Sequence, residues 1–298
     1  MRYLLSAFLL FLIAEAATAQ VNSYSQKKLK TYEDSLYKLN DTIIDGNGQY
    51  TRQTACYAFI KTLVRALKTP DSFTYPFDSL KHISILTAPD KSFRIFSWEL
   101  LLDGNEGYRY FGAIQINNKK LQLFPLFDYS EHITNIEDTV TDNNKWFGVL
   151  YYNIVEKKSF GKKYYTLFGW YGNTLKSTKK IVDVLTFKNN KPVFGAPVFE
   201  LKSKDKTKTI DRFVIEYKKD AAVRLNYDKD FDKIIFDHLV PESGGSANDY
   251  TTYIPDGTYE GFKFKRGKWR YIENVFTSVN KGVPFPAPLD FNKMKMDH

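Results

Sequence analysis

The sequence predicts a mainly β protein, with an N-terminal helical hairpin followed by antiparallel β-meander units. Three observations carry this. Helix-like spacing of apolar residues stops near Leu67. From His82 onward, short aromatic and β-branched runs are separated by turn residues, the pattern of sequential antiparallel strands. The chain is 16% aromatic, from 24 Phe and 21 Tyr more than 4 Trp, and these residues suit pleated, half-buried surfaces. Two arrangements of the β part stay open, a propeller-like one and an α+β fold with one large twisted antiparallel sheet.

The first segment, 1–19, reads as a signal peptide. Arg2 supplies one positive charge, Leu4 to Ile13 an apolar core, and Ala17-Thr18-Ala19 a small-residue cleavage pattern. The apolar run is far short of the roughly 20 residues a membrane-spanning helix needs. No Cys lies beside the cut, so a lipoprotein anchor is not expected, and the mature chain is expected to carry no transmembrane segment. Arg2 and Glu15 cancel, so the mature chain keeps the net charge of +9. The reading places the protein in the periplasm or outside the cell.

Residues 20–70 form the helical segment. Leu29, Tyr32, Leu36 and Leu39 make a stripe over Tyr24 to Asn40, and Asp45-Gly46-Asn47-Gly48 breaks it. A second helix is expected over Gln49 to Leu67, with Tyr57, Ile60, Leu63, Val64 and Leu67 on one face and Thr69-Pro70-Asp71 as its stop. Cys56, the single Cys, lies in this pattern with no His beside it, and reads as a small buried residue, not a nucleophile.

Residues 71–298 form the antiparallel β domain. Strands are expected at Ile83–Leu86, Phe93–Leu100, Tyr108–Ile116 and Leu121–Phe127, then, after a polar stretch from Ser130 to Asn144, at Phe147–Val155, Tyr164–Trp170, Ile181–Phe187 and Val193–Leu201. More follow at Arg212–Tyr217, Val223–Tyr227, Lys233–Leu239, Tyr259–Phe264 and Trp269–Val275. Ser92–Gln115 and Gly148–Gly172 are loosely alike, each a hairpin ending near Phe-Gly, which is what suggests repeated β units. Pro284, Pro286 and Pro288 mark an extended C-terminal tail.

The positive charge raises nucleic acid as a partner. The lysines are spread over many turns, as in Lys119-Lys120, Lys162-Lys163 and Lys265-Arg266, which is the usual protection of sheet edges, so nucleic acid is not expected. Contact with anionic envelope polymers stays open.

The densest chemical cluster is Phe236-Asp237-His238-Leu239-Val240-Pro241-Glu242, leading into Ser243-Gly244-Gly245-Ser246 and Asp249. It lies where a strand leaves the sheet for a long loop. Asp237, His238 and Glu242 are the candidate catalytic residues of a hydrolase, with His238 as base and Ser243 or Ser246 as nucleophile. Asp237 and His238 alternate faces in a regular strand, so they reach one site only across a bulge. No G-x-S-x-G or S-x-x-K motif supports the chemistry.

Asp228, Asp230 and Asp232 have the spacing of a calcium loop, but Lys233 and Leu239 stand where Gly and a carboxylate are needed, so a hairpin turn is the stronger reading. His82, His132 and His298 show no metal-ligand spacing, and no cofactor is expected. Trp98, Trp170 and Tyr171 are the candidate ligand-binding aromatics, able to stack on sugar rings or dock peptides if exposed.

Gly169-Trp170-Tyr171-Gly172-Asn173, Ser177 to Leu185, Ile235 to Pro241 and Pro255-Asp256-Gly257-Thr258-Tyr259 resemble uncharacterised exported proteins of Bacteroidota. The resemblance covers somewhat under half of the chain and implies an envelope or secreted location, with no activity attached. The sequence therefore leads to an exported, non-catalytic module binding a protein or glycan partner, with a hydrolase using the Asp237–Glu242 loop as the alternative.

Overall fold

A computed structural model describes residues 2–276 apart from 105–106, 204–205, 243 and 247–248; side chains at 2–22 and 202–206 are outside the description. Two helices come first, α1 (Arg2–Asp45) and α2 (Gln49–Leu67). Gly48 adopts φ 78 in the turn between them, a conformation open to glycine at little cost. Leu29, Leu36 and Ile43 of α1 pack with Cys56, Phe59, Leu63 and Leu67 of α2. The buried face of α2 is thus rotated from the expected one: Tyr57 is 49% exposed, and Cys56 and Phe59 lie at the centre of the contact. No helix among the described residues is long and apolar enough to cross a membrane.

Strands β1 (Ser84–Thr87), β2 (Phe93–Leu101), β3 (Tyr108–Ile116) and β4 (Gln122–Phe127) form a first antiparallel meander sheet. The short β5 (Thr141–Asp142), then β6 (Leu150–Ser159), β7 (Lys162–Tyr171), β8 (Ser177–Lys188) and β9 (Lys191–Phe194) form a second, in the order β5-β9-β8-β7-β6. After them run β10 (Phe199–Ser203), β11 (Lys206–Ile210), β12 (Phe213–Lys218), β13 (Leu225–Asp228), β14 (Lys233–Pro241), β15 (Tyr253–Lys265) and β16 (Lys268–Ile272). All but β12 make the third sheet, ordered β11-β10-β16-β15-β14-β13, while β12 pairs with β8 in the second.

The three sheets stack face to face beneath the helices. Alternation along β2 shows why. Phe96, Trp98 and Leu100 join the core under the helices, whereas Phe93 and Ile95 point the other way, against Leu167, Ile181 and Leu185 of the second sheet. Val182 and Val184 of β8 turn to the third sheet and meet Phe199, Phe236, Phe262 and Trp269. The middle strands are buried on both faces and therefore read as continuous apolar runs. Among the described residues this layering is an α+β stack of three separate sheets, not blades around a channel and not one large sheet.

Two differences from the expected strands have local causes. The single strand expected over Val193–Leu201 is two, β9 and β10, because Gly195 takes φ 89 and Pro197 follows it. β11, with the sequence KTKTI, has one apolar residue, the buried Ile210, and no aromatic, unlike the runs that mark most other strands. The expected C-terminal tail lies outside the described residues.

Two guanidinium groups are fully enclosed. Arg94 donates to Ser72 O at 2.6 Å, Tyr75 O at 2.7 Å and Gln115 Oε1 at 2.8 Å. It has no carboxylate beside it, and burial pulls its pKa down to about 9. Arg212 donates to the backbone at Ile136 and Thr139 and to Thr141 Oγ1. Its Nε stands 2.9 Å from Asp183 Oδ1, close enough to pair but not aligned as a hydrogen bond.

Candidate functional site

Two concavities place sequence-predicted residues, and they differ in kind. The first is apolar. The helical hairpin covers β2 but does not reach across the whole first sheet, which leaves a crevice of about 270 Å³ between α2 and β3–β4. Ile60, Leu63 and Val64 form one wall, and Phe111, Leu123 and Pro125 the other. Tyr57 and Phe127, 49% and 56% exposed, stand on its rim. Trp98 contributes to the lining from underneath: it is 3% exposed, stacks on Phe111 at 5.9 Å and donates its indole N–H to Cys56 Sγ at 3.4 Å. Arg109 is the charged residue of the lining, its guanidinium 5.8 Å from the Phe111 ring. Burial pushes the Cys56 thiol up to about 11, which suppresses thiolate and suits a packing role.

The second concavity is polar, a cleft of about 500 Å³ beside β14, lined among others by Lys179, Glu216, His238, Tyr250, Tyr253 and Glu260. The register between β14 and β15 shifts at His238: Asp237 pairs with Tyr259, but Leu239 pairs with Pro255. Three residues, Asp256-Gly257-Thr258, stand opposite His238 alone and bulge by two residues, with Gly257 at φ 89. The bulge brings Asp256 to His238, with its Oδ2 2.7 Å from His238 Nδ1. A carboxylate only accepts, so Nδ1 carries the proton, and in the neutral ring Nε2 is left as the acceptor. Burial raises the Asp256 pKa, but hydrogen bonds from the Thr258 N–H and hydroxyl and from His238 outweigh that and hold it at about 2.

The expected trio at this loop does not converge. Asp237 lines the cleft with His238 but is 9% exposed, and its carboxylate accepts from the Arg224 N–H at 2.6 Å. Glu242 is exposed and pairs with Lys218 at 2.8 Å. Ser243 lies outside the described residues, and Ser246 follows on the same loop. Asp256, which His238 does meet, carries no chemical role in the sequence reading. Its Asp-Gly pair inside a strand-like run was the available signal; the missing information was the β14–β15 register.

The remaining candidates are apart from both concavities or buried beside them. Trp170 is half-buried, edge-on to Tyr108 at 5.3 Å with Lys219 Nζ 5.9 Å from its ring centre. Tyr171 is half-buried against Tyr110 and Phe147. Neither is an open stacking platform. Asp228 Oδ1 accepts from the N–H groups of Asp230 and Phe231, closing a turn, and Asp232 binds Lys157 and the Tyr227 hydroxyl. Among the described residues no three His, Cys, Asp or Glu side chains are grouped as metal ligands.

Compared with known proteins, the chain matches no family model, and no curated protein and no solved structure is significantly similar to it.

Proposed function

We propose that this chain is an exported, non-catalytic binding module of the bacterial envelope, and that it holds a partner protein by seating an apolar side chain in the crevice between α2 and β3–β4. The crevice is the observation that carries this reading. It is enclosed and apolar, and about 270 Å³ suits one anchoring side chain better than a sugar ring, which needs several polar partners. Tyr57 and Phe127 on the rim supply aromatic contact area, and Arg109 supplies a polar group for orientation. The export part of the reading rests on the charge, apolar core and small residues of segment 1–19.

The test is selection of peptides from a random displayed library, followed by binding measurements on the Ala113→Phe variant. Ala113 lines the crevice, so a phenyl ring there fills it. Selected peptides are expected to share an apolar anchor and to lose about tenfold or more in affinity for the variant. Peptides that bind the folded variant equally well defeat the reading.

A second reading, hydrolysis at the β14–β15 bulge, draws support from the His238–Asp256 pair in the polar cleft. It needs a nucleophile within reach of Nε2, and Ser243 and Ser246 are the sequence candidates for that role. Ester and peptide substrates turned over by the wild-type chain but not by His238→Ala favour it; equal rates for the two chains dismiss it.

A further inference from the structure

The hairpin tips at one end of the sheet stack carry an unusual combination of residues. β6 and β7 are joined by Phe160-Gly161, both with positive φ, 48 and 75. This is the two-residue turn that matches strand twist, and it favours Asn and Gly. The neighbouring β8–β9 turn obeys that preference with Asn189-Asn190 at φ 51 and 60. Phe160 does not, and the fold returns nothing for it: the side chain is 88% exposed. Phe231, 48% exposed and edge-on to Phe276 at 5.3 Å, sits on the β13–β14 turn, which the Asp232–Lys157 pair ties to β6. Neither phenylalanine has a polar atom to satisfy in water.

Lysines surround these rings. Lys158 and Lys163 face each other across the β6–β7 hairpin, and Lys188 and Lys191 across β8–β9. Lys265 and Arg266 flank the β15–β16 turn, whose Gly267 lies against Ser159. The end of β3 and start of β2 lie at the same end, because Phe93 touches the rings of Tyr165 and Phe187, and the Lys119-Lys120 loop follows β3. Three nearby acids are engaged, Asp90 by Lys163, Glu156 by Lys158 and Asp232 by Lys157, which leaves Asp230 on the β13–β14 turn as the exposed acid outside these pairs. Among the described residues no ion pair takes up Lys162, Lys188, Lys191, Lys265 or Arg266. Between the tips runs a groove of about 850 Å³ lined by Lys162, Lys188, Lys268, Tyr164 and Phe187.

We infer that this end docks on an anionic lipid surface, with Phe160 entering the boundary between headgroups and acyl chains and the unpaired lysines meeting lipid phosphates. An apolar ring at the apex of a convex, cationic tip is what interfacial binding uses: charge gathers the protein at the surface and the ring leaves water. A soluble polyanion has use for the lysines but gives Phe160 no apolar medium to enter. Stacking on bases or sugars calls for a platform on which a strand can lie, and a single ring on a two-residue turn is not one.

The experiment uses the mature chain from Gln20 onward, so that the apolar export segment does not itself seek the vesicles, with an environment-sensitive fluorophore on Lys158→Cys; Cys56 is fully buried and escapes labelling. Vesicles mixing phosphatidylglycerol with phosphatidylcholine are expected to brighten and blue-shift the dye, whereas phosphatidylcholine alone leaves it nearly unchanged. The same dye on Tyr50→Cys, 83% exposed at the start of α2, reports the opposite end and stays flat. Adding Phe160→Ser to the labelled chain is expected to weaken vesicle binding about tenfold, and raising salt to weaken it further. Equal responses from the two labels, or from charged and neutral vesicles, overturn the proposal. So does a Phe160→Ser chain that binds vesicles as well as its parent, or one-to-one competition by heparin or an oligonucleotide at the tip label; that result assigns the lysines to a soluble polyanion.

Discussion

Arg94 and Arg212 are both buried completely, in two different interfaces, and the protein satisfies them in different ways. Arg94 lies between the first sheet and the segment that follows α2. Its three hydrogen bonds go to two carbonyls and an amide, and the rings of Phe73, Phe77 and Phe96 surround its guanidinium at 5.6, 5.2 and 4.8 Å. Arg212 lies against the second sheet, holds the 136–141 loop, and has Asp183 as counter-charge. Each cation pins an irregular segment to a sheet. The difference lies in what is stranded when the cation goes: neutral carbonyls in the first case, a buried carboxylate in the second.

Arg212→Met therefore carries the largest expected effect. Asp183 is 1% exposed, and without Arg212 it keeps only the Tyr151 hydroxyl at 3.3 Å and the Val184 N–H at 2.8 Å. Breaking a buried pair on one side costs about 3–5 kcal/mol, so urea unfolding is expected to shift strongly toward lower concentration. Adding Asp183→Leu removes the stranded charge and is expected to recover much of the loss. If the double variant is no more stable than the single one, the pairing does not explain the sensitivity of this interface.

On the helix side a carboxylate is held without a buried cation. Glu33 of α1 is 3% exposed and accepts from the Tyr75 hydroxyl at 2.6 Å and the Ser79 N–H at 2.8 Å. Burial raises its pKa, but these bonds and the partly exposed Lys30 outweigh it, so the net shift is downward. A lowered carboxylate contributes stability that is complete above its unfolded pKa and is lost as pH falls through the folded one. Glu33→Gln is expected to cost about 2 kcal/mol near neutral pH, and the gap from wild type is expected to close in acid. A gap independent of pH shows that shape, not charge, holds Glu33 in place.

Local structure was readable in the sequence to a degree that site geometry was not. The second helix starts and stops where Gly48 and Thr69-Pro70 put it, and β3 spans the expected Tyr108–Ile116, because these boundaries depend on neighbouring residues. Polar β11 was invisible for the same reason, since its pairing with β10 is not encoded in its own pattern. The layer order, the attachment of β12 to β8 and the parallel contact of β10 with β16 all join residues far apart in the chain. So does the candidate site. His238 stands out in the sequence, but its partner Asp256 depends on a bulge, and Trp98 belongs to the crevice only because α2 leaves β3–β4 uncovered.

Glu99 gives a smaller effect of the opposite sign. It lies on β2, its Oε2 has no hydrogen-bond partner, and burial raises its pKa to about 7. The folded state keeps the proton where the unfolded chain has released it, so wild-type stability falls as pH rises from the unfolded value through about 7. Glu99→Gln escapes this penalty and is expected to be more stable than wild type by on the order of 1–2 kcal/mol in mild alkali, and equal to it in mild acid. Thermal unfolding across that range reads the crossover directly; parallel curves for the two chains refute it.

The smallest effect is expected at Arg94, despite its complete burial. Arg94→Met removes a cation whose desolvation is uncompensated by any carboxylate, and keeps apolar volume among Phe73, Phe77 and Phe96. What is lost is hydrogen bonding to Tyr75 O and Gln115 Oε1; Ser72 O still accepts from the Tyr75 N–H at 3.2 Å. Two weakened polar groups against one relieved charge leave a net cost of about 1 kcal/mol. That is well under the Arg212→Met value, measured in the same urea series. A loss at Arg94 as large as at Arg212 shows that the turn after α2, not the counter-charge, decides how much a buried arginine matters in this fold.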